Sequence, residues 1–274
     1  MPDKWNPEFY LNNPLFSDIS SLASYFQTFS HWPDINDYNQ FLNNTHHKLL
    51  NKNHISLNFV PQGEKSDQYQ DGYEPRIYLK GEIQTRTQNW HDFFQVLIWN
   101  RYPLVKSHIN ALHYQAIVNN INTEPKIQQR SSIENTLTLF DECGAIIVSS
   151  NPTLLDLIAT FKWEELFIKS RAAFNKELYC FVFGHALYEK SLSPYIGMTA
   201  HALLIEVTPD FFQQSTATQT SDIDLMGVEF FDSAKEINTR LLQPFPVLGV
   251  PGWDERNENP VYYRNKDYFR PGRR

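Results

Sequence analysis

With 274 residues, 41% of them hydrophobic and 15% aromatic, the chain can bury a substantial core and lies outside disordered or fibrous composition. Its 31 Asp and Glu against 24 Lys and Arg leave a formal net charge of -7, which excludes a broad nucleic-acid-binding face, because that needs an excess of cations. Cys143 and Cys180 are too few for a disulfide framework or a cysteine-based zinc site, Met1 to Asn6 lack the features of a secretory signal, and no window is long and apolar enough to cross a bilayer; a cytoplasmic protein without membrane attachment is expected.

Residues 1–54 are rich in Asn and aromatics. A short helix follows Asp18 and carries Ile19, Leu22, Ala23, Tyr25 and Phe26; another opens at Pro33-Asp34 and carries Ile35, Tyr38, Phe41 and Leu42. These predict a helical arm over 1–54, packed on a single α+β domain over 55–274. Ile55–Val60 and Arg76–Lys80 read as strands joined by a polar loop from Gly63 to Gly72. From Thr87 the period becomes helical, with Trp90, Phe93, Phe94, Leu97 and Ile98 on one face. Pro103 ends that helix and starts the next, whose core face is Val105, Ile109, Leu112 and Ala116.

Thr136–Phe140 and Ala145–Val148, around Asp141-Glu142-Cys143-Gly144, predict a β-hairpin with Gly144 at positive φ. Pro152 starts a helix, Trp163–Phe167 adds a helical turn, and Arg171–Leu192 reads as a long helical segment. Thr199–Val207 is a buried strand and Asp222–Leu242 mostly helix. Beyond Pro244 the prolines, glycines and aromatics predict an ordered, extended wrap. The fold expected is α+β: a small, mainly antiparallel sheet flanked by helices, with an N-terminal helical arm and an extended Pro/aromatic C-terminal wrap.

His185 and Glu189 lie one helical turn apart, directly after the apolar run Leu178–Phe183. Such an imidazole needs a partner, because a buried polar group without one is costly. Two readings stand: an acid/base or metal ligand tuned by a carboxylate, or a core histidine in a structural network. Gly184 before it marks close approach of another backbone. His91 and Asp92 begin the helix at Trp90, with His91 turned away from the apolar face; the helix macrodipole is reason enough for Asp92. Lys106, Asn110 and His113 share one polar face, which a solvated surface would also explain. Asp141 and Glu142 are adjacent carboxylates at the expected turn. No Walker A loop, Gly-x-Gly-x-x-Gly, Gly-x-Ser-x-Gly or His-Glu-x-x-His pattern occurs, so no nucleotide cofactor is expected.

Several stretches together resemble the domain of unknown function family 3025, found mainly in proteobacteria. They are Tyr73-Glu74-Pro75-Arg76-Ile77, Thr85-Arg86, Trp90-His91-Asp92-Phe93-Phe94, Trp99, Tyr102-Pro103, Lys106, Thr138 to Gly144, Phe183 to Lys190, Pro246 to Trp253 and Phe269-Arg270-Pro271. Gln95 departs from the pattern, which more often has asparagine there. The resemblance implies that the His91, Asp141 and His185 segments are shared family features; it implies no activity.

The favoured expectation is an enzyme, a metal-assisted hydrolase using a His/carboxylate pocket. His185, Glu189, His91, Asp92 and Asp141 are its candidate catalytic groups, and Lys106, Asn110, His113 and Arg86 its candidate substrate contacts. A divalent metal is the one cofactor considered, and the partner is an unidentified small molecule or protein. The alternative is a non-catalytic binding or scaffold protein in which the His/Glu network is structural and the C-terminal aromatics engage a partner. The first requires His91, Asp141 and His185 to lie within about 10 Å of one another, since groups acting on one reacting atom must converge.

Overall fold

A computed structural model describes residues 4–45, 48–64, 66–123, 129–272. Short helical turns in the N-terminal segment lead to α1 (Ser20–Ala23) and α2 (Ile35–Thr45). Asp34 Oδ1 accepts from the Asn36 and Asp37 amides, which starts α2. Next come β1 (Asn58–Pro61), α3 (Tyr73–Lys80), β2 (Glu82–Thr85), α4 (Trp90–Arg101) and α5 (Pro103–Thr123). They are followed by α6 (Ser132–Cys143), β3 (Gly144–Ser149), α7 (Pro152–Ala159), α8 (Arg171–Glu177), β4 (Leu178–Val182), α9 (His185–Ser191), β5 (Thr199–Glu206), α10 (Thr216–Ser233) and β6 (Gln243–Pro246).

Four strands form one sheet in the order β4-β3-β5-β6. β3 pairs antiparallel with β4 and parallel with β5, and β5 pairs antiparallel with β6, so the sheet is mixed. Every residue of β3 is buried, as expected of a central strand covered on both faces. β1 and β2 form a separate parallel pair with α3 as the crossover. The class is α+β, as the sequence predicts.

Local departures have local causes. Arg76–Lys80 belongs to helix α3, not to a strand, and Gly81 ends that helix at φ 71° with its amide on the Ile77 carbonyl. Thr136–Phe140 is likewise helical, so there is no hairpin. A capping box at Ser131 and Glu134 starts α6, and Leu137, Phe140 and Cys143 fall on its buried face. Gly144 therefore has φ -73° rather than a positive value; a Cβ on it would meet the Phe140 carbonyl oxygen at 2.2 Å.

Arg171–Leu192 is three elements, α8, β4 and α9, rather than one helix. Leu178–Val182 pairs along β3 from Ser149 to Ala145, and that ladder overrides helical spacing. The predicted Asp222–Leu242 helix begins earlier and ends at Ser233, with Ser215 Oγ accepting from the Thr218 amide at its start.

The aromatics of the N-terminal segment meet α4. Phe9 lies 5.2 Å from Trp90 between ring centres, and Phe26 lies 5.3 Å from Phe93. Burying each such ring contributes roughly 1.5–3 kcal/mol. In the C-terminal segment Tyr268 donates to the Met198 carbonyl at 2.7 Å and accepts from the Leu248 amide at 3.0 Å. Asn257 donates to the Leu248 and Val250 carbonyls. These bonds hold the proline-rich chain against the body, where it runs largely as short 3-10 turns (Val247–Gly249, Glu255–Glu258 and Pro260–Arg264) rather than as the extended wrap expected, because its prolines and glycines interrupt any longer element. Among the described residues no helix is long and apolar enough to cross a membrane.

Candidate active site

Asn89 starts α4 by accepting the Asp92 amide at 3.1 Å. Trp90, Phe93 and Phe94 face the N-terminal aromatics, so His91 projects on the other side, toward α9. α9 begins at His185 because Gly184 precedes it at φ -68°, ψ 118°. A Cβ on Gly184 would lie 2.4 Å from the Glu142 carbonyl oxygen and 2.5 Å from Cys143 Cα. That approach brings His185 beside Asp141, in the last turn of α6. Gly184 marks the expected close contact, but from the residue before the helix rather than inside it.

The four groups form a chain. Glu189 Oε2 lies 2.9 Å from His91 Nδ1, His91 Nε2 lies 2.8 Å from His185 Nε2, and His185 Nδ1 lies 3.5 Å from Asp141 Oδ2. The ring planes are nearly perpendicular, at 84°, with centres 4.3 Å apart. Glu189 is one turn from His185, yet its carboxylate orients His91 instead.

Proton bookkeeping assigns the tautomers of a neutral pair. A carboxylate only accepts, so His91 Nδ1 carries the proton facing Glu189, leaving Nε2 to accept from His185 Nε2–H. His185 Nδ1 is then bare, buried and without a hydrogen-bond partner. Burial pulls the His185 pKa down to about 3; the Asp141 carboxylate opposes this, and the Lys106 and His91 charges add to it.

Lys106 anchors the far end of the chain by a buried ion pair with Asp141 Oδ1, its Nζ 4.9 Å above the Trp99 ring. Burial opposes the Asp141 carboxylate, but the Lys106 and His185 charges outweigh it and hold its pKa below the ordinary value. Lys106, Asn110 and His113 are all buried, so the solvated-face reading of α5 is wrong. Asn110 donates to Glu74 Oε2 at 2.6 Å, and His113 Nδ1 lies 3.6 Å from Glu74 Oε1. Burial pushes the Glu74 pKa up, with His113 opposing.

Asp92 is bound to Arg86: Nη2 donates to Oδ1 at 2.8 Å and Nε to Oδ2 at 3.0 Å. It therefore fixes a half-exposed guanidinium and takes no part in the histidine chain.

A solvent-open cavity of about 500 Å³ is lined by His91, His185, Asp141, Asp92, Arg86 and His113 among others. Lys106, Asn110 and Glu189 are absent from its wall and stand behind it. Sequence reasoning missed Tyr73, Glu74, Glu134 and Arg130, which also line it. The capping pattern Ser131-x-x-Glu134 was the available signal for Glu134; Glu74 was hidden because it lies between the expected loop and the Arg76–Lys80 segment read as a strand, whereas it sits in the first turn of α3. Among the described residues no three His, Cys, Asp or Glu side chains surround a common metal position.

The fold and site define an α+β protein with a carboxylate–histidine–histidine–carboxylate chain in the wall of a polar cavity. A family model described as a protein of unknown function (DUF3025) matches residues 57–273, and the chain belongs to that family. No curated protein and no solved structure matches it.

Proposed function

We propose that this cavity is the active site of an enzyme acting by proton transfer on a small polar molecule, with hydrolysis as the reaction class. His91 is the acid/base, Glu189 orients it, and His185, beside the Asp141–Lys106 pair, holds or supplies the proton at His91 Nε2. The observation that carries this reading is the 2.8 Å Nε2–Nε2 contact with a carboxylate facing each far nitrogen. An imidazole held by a carboxylate is the usual arrangement of a general base. The cavity has the size of a small-molecule site, and the His91 side chain, 28% exposed, is within reach of a substrate. Arg86 at the wall, held by Asp92, is available to an anionic substrate group.

The scaffold alternative draws less support, because Tyr263, Tyr268 and Phe269 of the C-terminal segment are buried against the body. A panel of generic carboxylic ester, phosphoester and amide substrates tests the proposal. Wild type should hydrolyse at least one class, and His91→Ala should lose about 10²–10⁴-fold in rate while keeping its melting temperature within a few degrees. Turnover untouched by His91→Ala, or none by wild type on any class, rejects it.

A further inference from the structure

We infer that the protein carries a second ligand site, a slot for a free aromatic α-amino acid beside strands β5 and β6 and separate from the histidine cavity. A cavity of about 390 Å³ opens there, and among the described residues it shares none of its lining with the cavity that holds His91. Thr138 lines the first and Leu139 the second, so α6 stands between them.

Size sets the first limit on the ligand. Small-molecule sites run from about 300 to 1,000 Å³. This one lies at the lower end, with room for one ring system and a short polar group but not for a dinucleotide.

The walls set the second. Phe161, Trp163, Pro244 and Pro246 supply flat apolar surface. Pro244 and Pro246 lie on the edge strand β6 opposite His201 and Thr199, where proline is tolerated because no further strand needs its amide. Ala200, Ala202 and Phe245 alternate with them and are buried on the other face. Trp163 is fixed by its Nε1, which donates to the Arg270 carbonyl at 2.6 Å. The Phe161 ring stands perpendicular to it, at 89°, with centres 5.9 Å apart. Such a corner receives a planar ring with little reorganisation.

Phe161 is the most telling of these residues. α7 ends with the Phe161 amide on the Ile158 carbonyl and the Lys162 amide on the Leu157 carbonyl, which leaves Phe161 at φ 59°. Glycine suits that position best, since a Cβ is strained at positive φ. Helix termination therefore does not call for a phenylalanine here, whereas the cavity wall does.

The polar groups fix the charges of the ligand. Asp267 and Arg270 both line the cavity and are exposed at its solvent side. Arg270 Nε donates to the Asp267 carbonyl at 3.0 Å, which positions the guanidinium. Among the described residues its Nη atoms and the Asp267 carboxylate have no hydrogen-bond or ion-pair partner, in each other or elsewhere. A carboxylate suits the guanidinium, which can give it two parallel hydrogen bonds, and an ammonium suits Asp267. A plain anion would meet repulsion from Asp267, and a plain cation repulsion from Arg270. A zwitterion satisfies both, and its aromatic side chain fills the corner of Phe161 and Trp163.

The test is calorimetric titration of the full-length chain with L-phenylalanine and L-tryptophan, against tryptamine, 3-phenylpropionate and L-alanine. At least one of the two aromatic amino acids should bind saturably at one equivalent. Tryptamine lacks the carboxylate, 3-phenylpropionate the ammonium and L-alanine the ring, so each should bind about tenfold more weakly or worse. Arg270→Gln and Asp267→Asn should each weaken binding by about tenfold or more without moving the melting temperature, since both side chains are exposed. Phe161→Gly, which suits the backbone but removes the wall, should weaken it likewise. His91→Ala, in the other cavity, should leave it unchanged. No saturable binding of either amino acid, equal binding of tryptamine or 3-phenylpropionate, or binding undiminished in Arg270→Gln or Asp267→Asn overturns the inference. Binding lost in His91→Ala would place the amino acid in the histidine cavity and overturn it as well. Hydrolysis at the histidine cavity stands or falls separately.

Discussion

Gly184 packs so tightly on Glu142 that a Cβ at position 184 would lie 2.4 Å from the Glu142 carbonyl oxygen. The contact is backbone against backbone, and no flexible side chain can move aside. It holds the start of α9 on the end of α6, and with them His185 on Asp141. Gly184→Ala should therefore cost about 1–3 kcal/mol, the range of overpacked sites, read as a lowered urea midpoint. It should also reduce activity or ligand binding beyond what the stability loss explains, because the His185–Asp141 spacing widens. A variant as stable as wild type would show that the two segments separate easily.

Lys106 and Asp141 form a buried pair, with side chains 3% and 13% exposed. Removing one partner leaves an uncompensated charge in a low-dielectric setting. Lys106→Met should destabilise by about 3 kcal/mol or more, measured by chemical denaturation. Adding Asp141→Leu should recover much of that loss, since a well-packed apolar pair can match a buried ion pair. A double variant no better than the single one would mean that Asp141 is retained through His185 rather than through Lys106.

Asp18 couples the N-terminal segment to the sheet, accepting the Tyr179 hydroxyl of β4 at 2.9 Å. Burial raises its pKa to about 6, against opposition from Arg101 and the Tyr179 and Val182 hydrogen bonds. The folded state thus binds this proton more tightly than the unfolded one, whose carboxylate titrates near 3.9. The sign follows: Asp18 contributes most below about pH 4, and the contribution falls away as pH rises through about 6. Asp18→Asn keeps an acceptor for Tyr179 and removes the titration. The stability difference between wild type and Asp18→Asn should shift by on the order of 2–3 kcal/mol in favour of the variant between pH 4 and 7. A flat difference would place Asp18 in contact with water.

Much of the architecture was legible where one element carried its own pattern. Trp90, Phe93, Phe94, Leu97 and Ile98 define a helical face, and Pro103 ends one helix and begins another, so α4 and α5 stand where spacing put them. The aromatics among the late prolines announced an ordered tail. His91, Asp141 and His185 were legible as residue types that need partners, and the three do converge.

Other features were decided only by packing. Thr136–Phe140 alternates over five residues, too few to distinguish a strand from the helix that its upstream capping box starts. Leu178–Val182 became a strand because β3 offered it a ladder, which cut a helical reading in two. Lys106, Asn110 and His113 looked solvated until Asp141 and Glu74 were brought against them. The sequence by itself determined which side chains were ionisable, where helices could start, and which faces were apolar, because those depend on neighbours a few residues away. Tertiary structure alone decided that Glu189 turns to His91, that His91 meets His185 across 94 positions, and that Asp141 closes the chain. Hydrogen bonds between distant residues depend on how helices and strands pack, and no local periodicity encodes that.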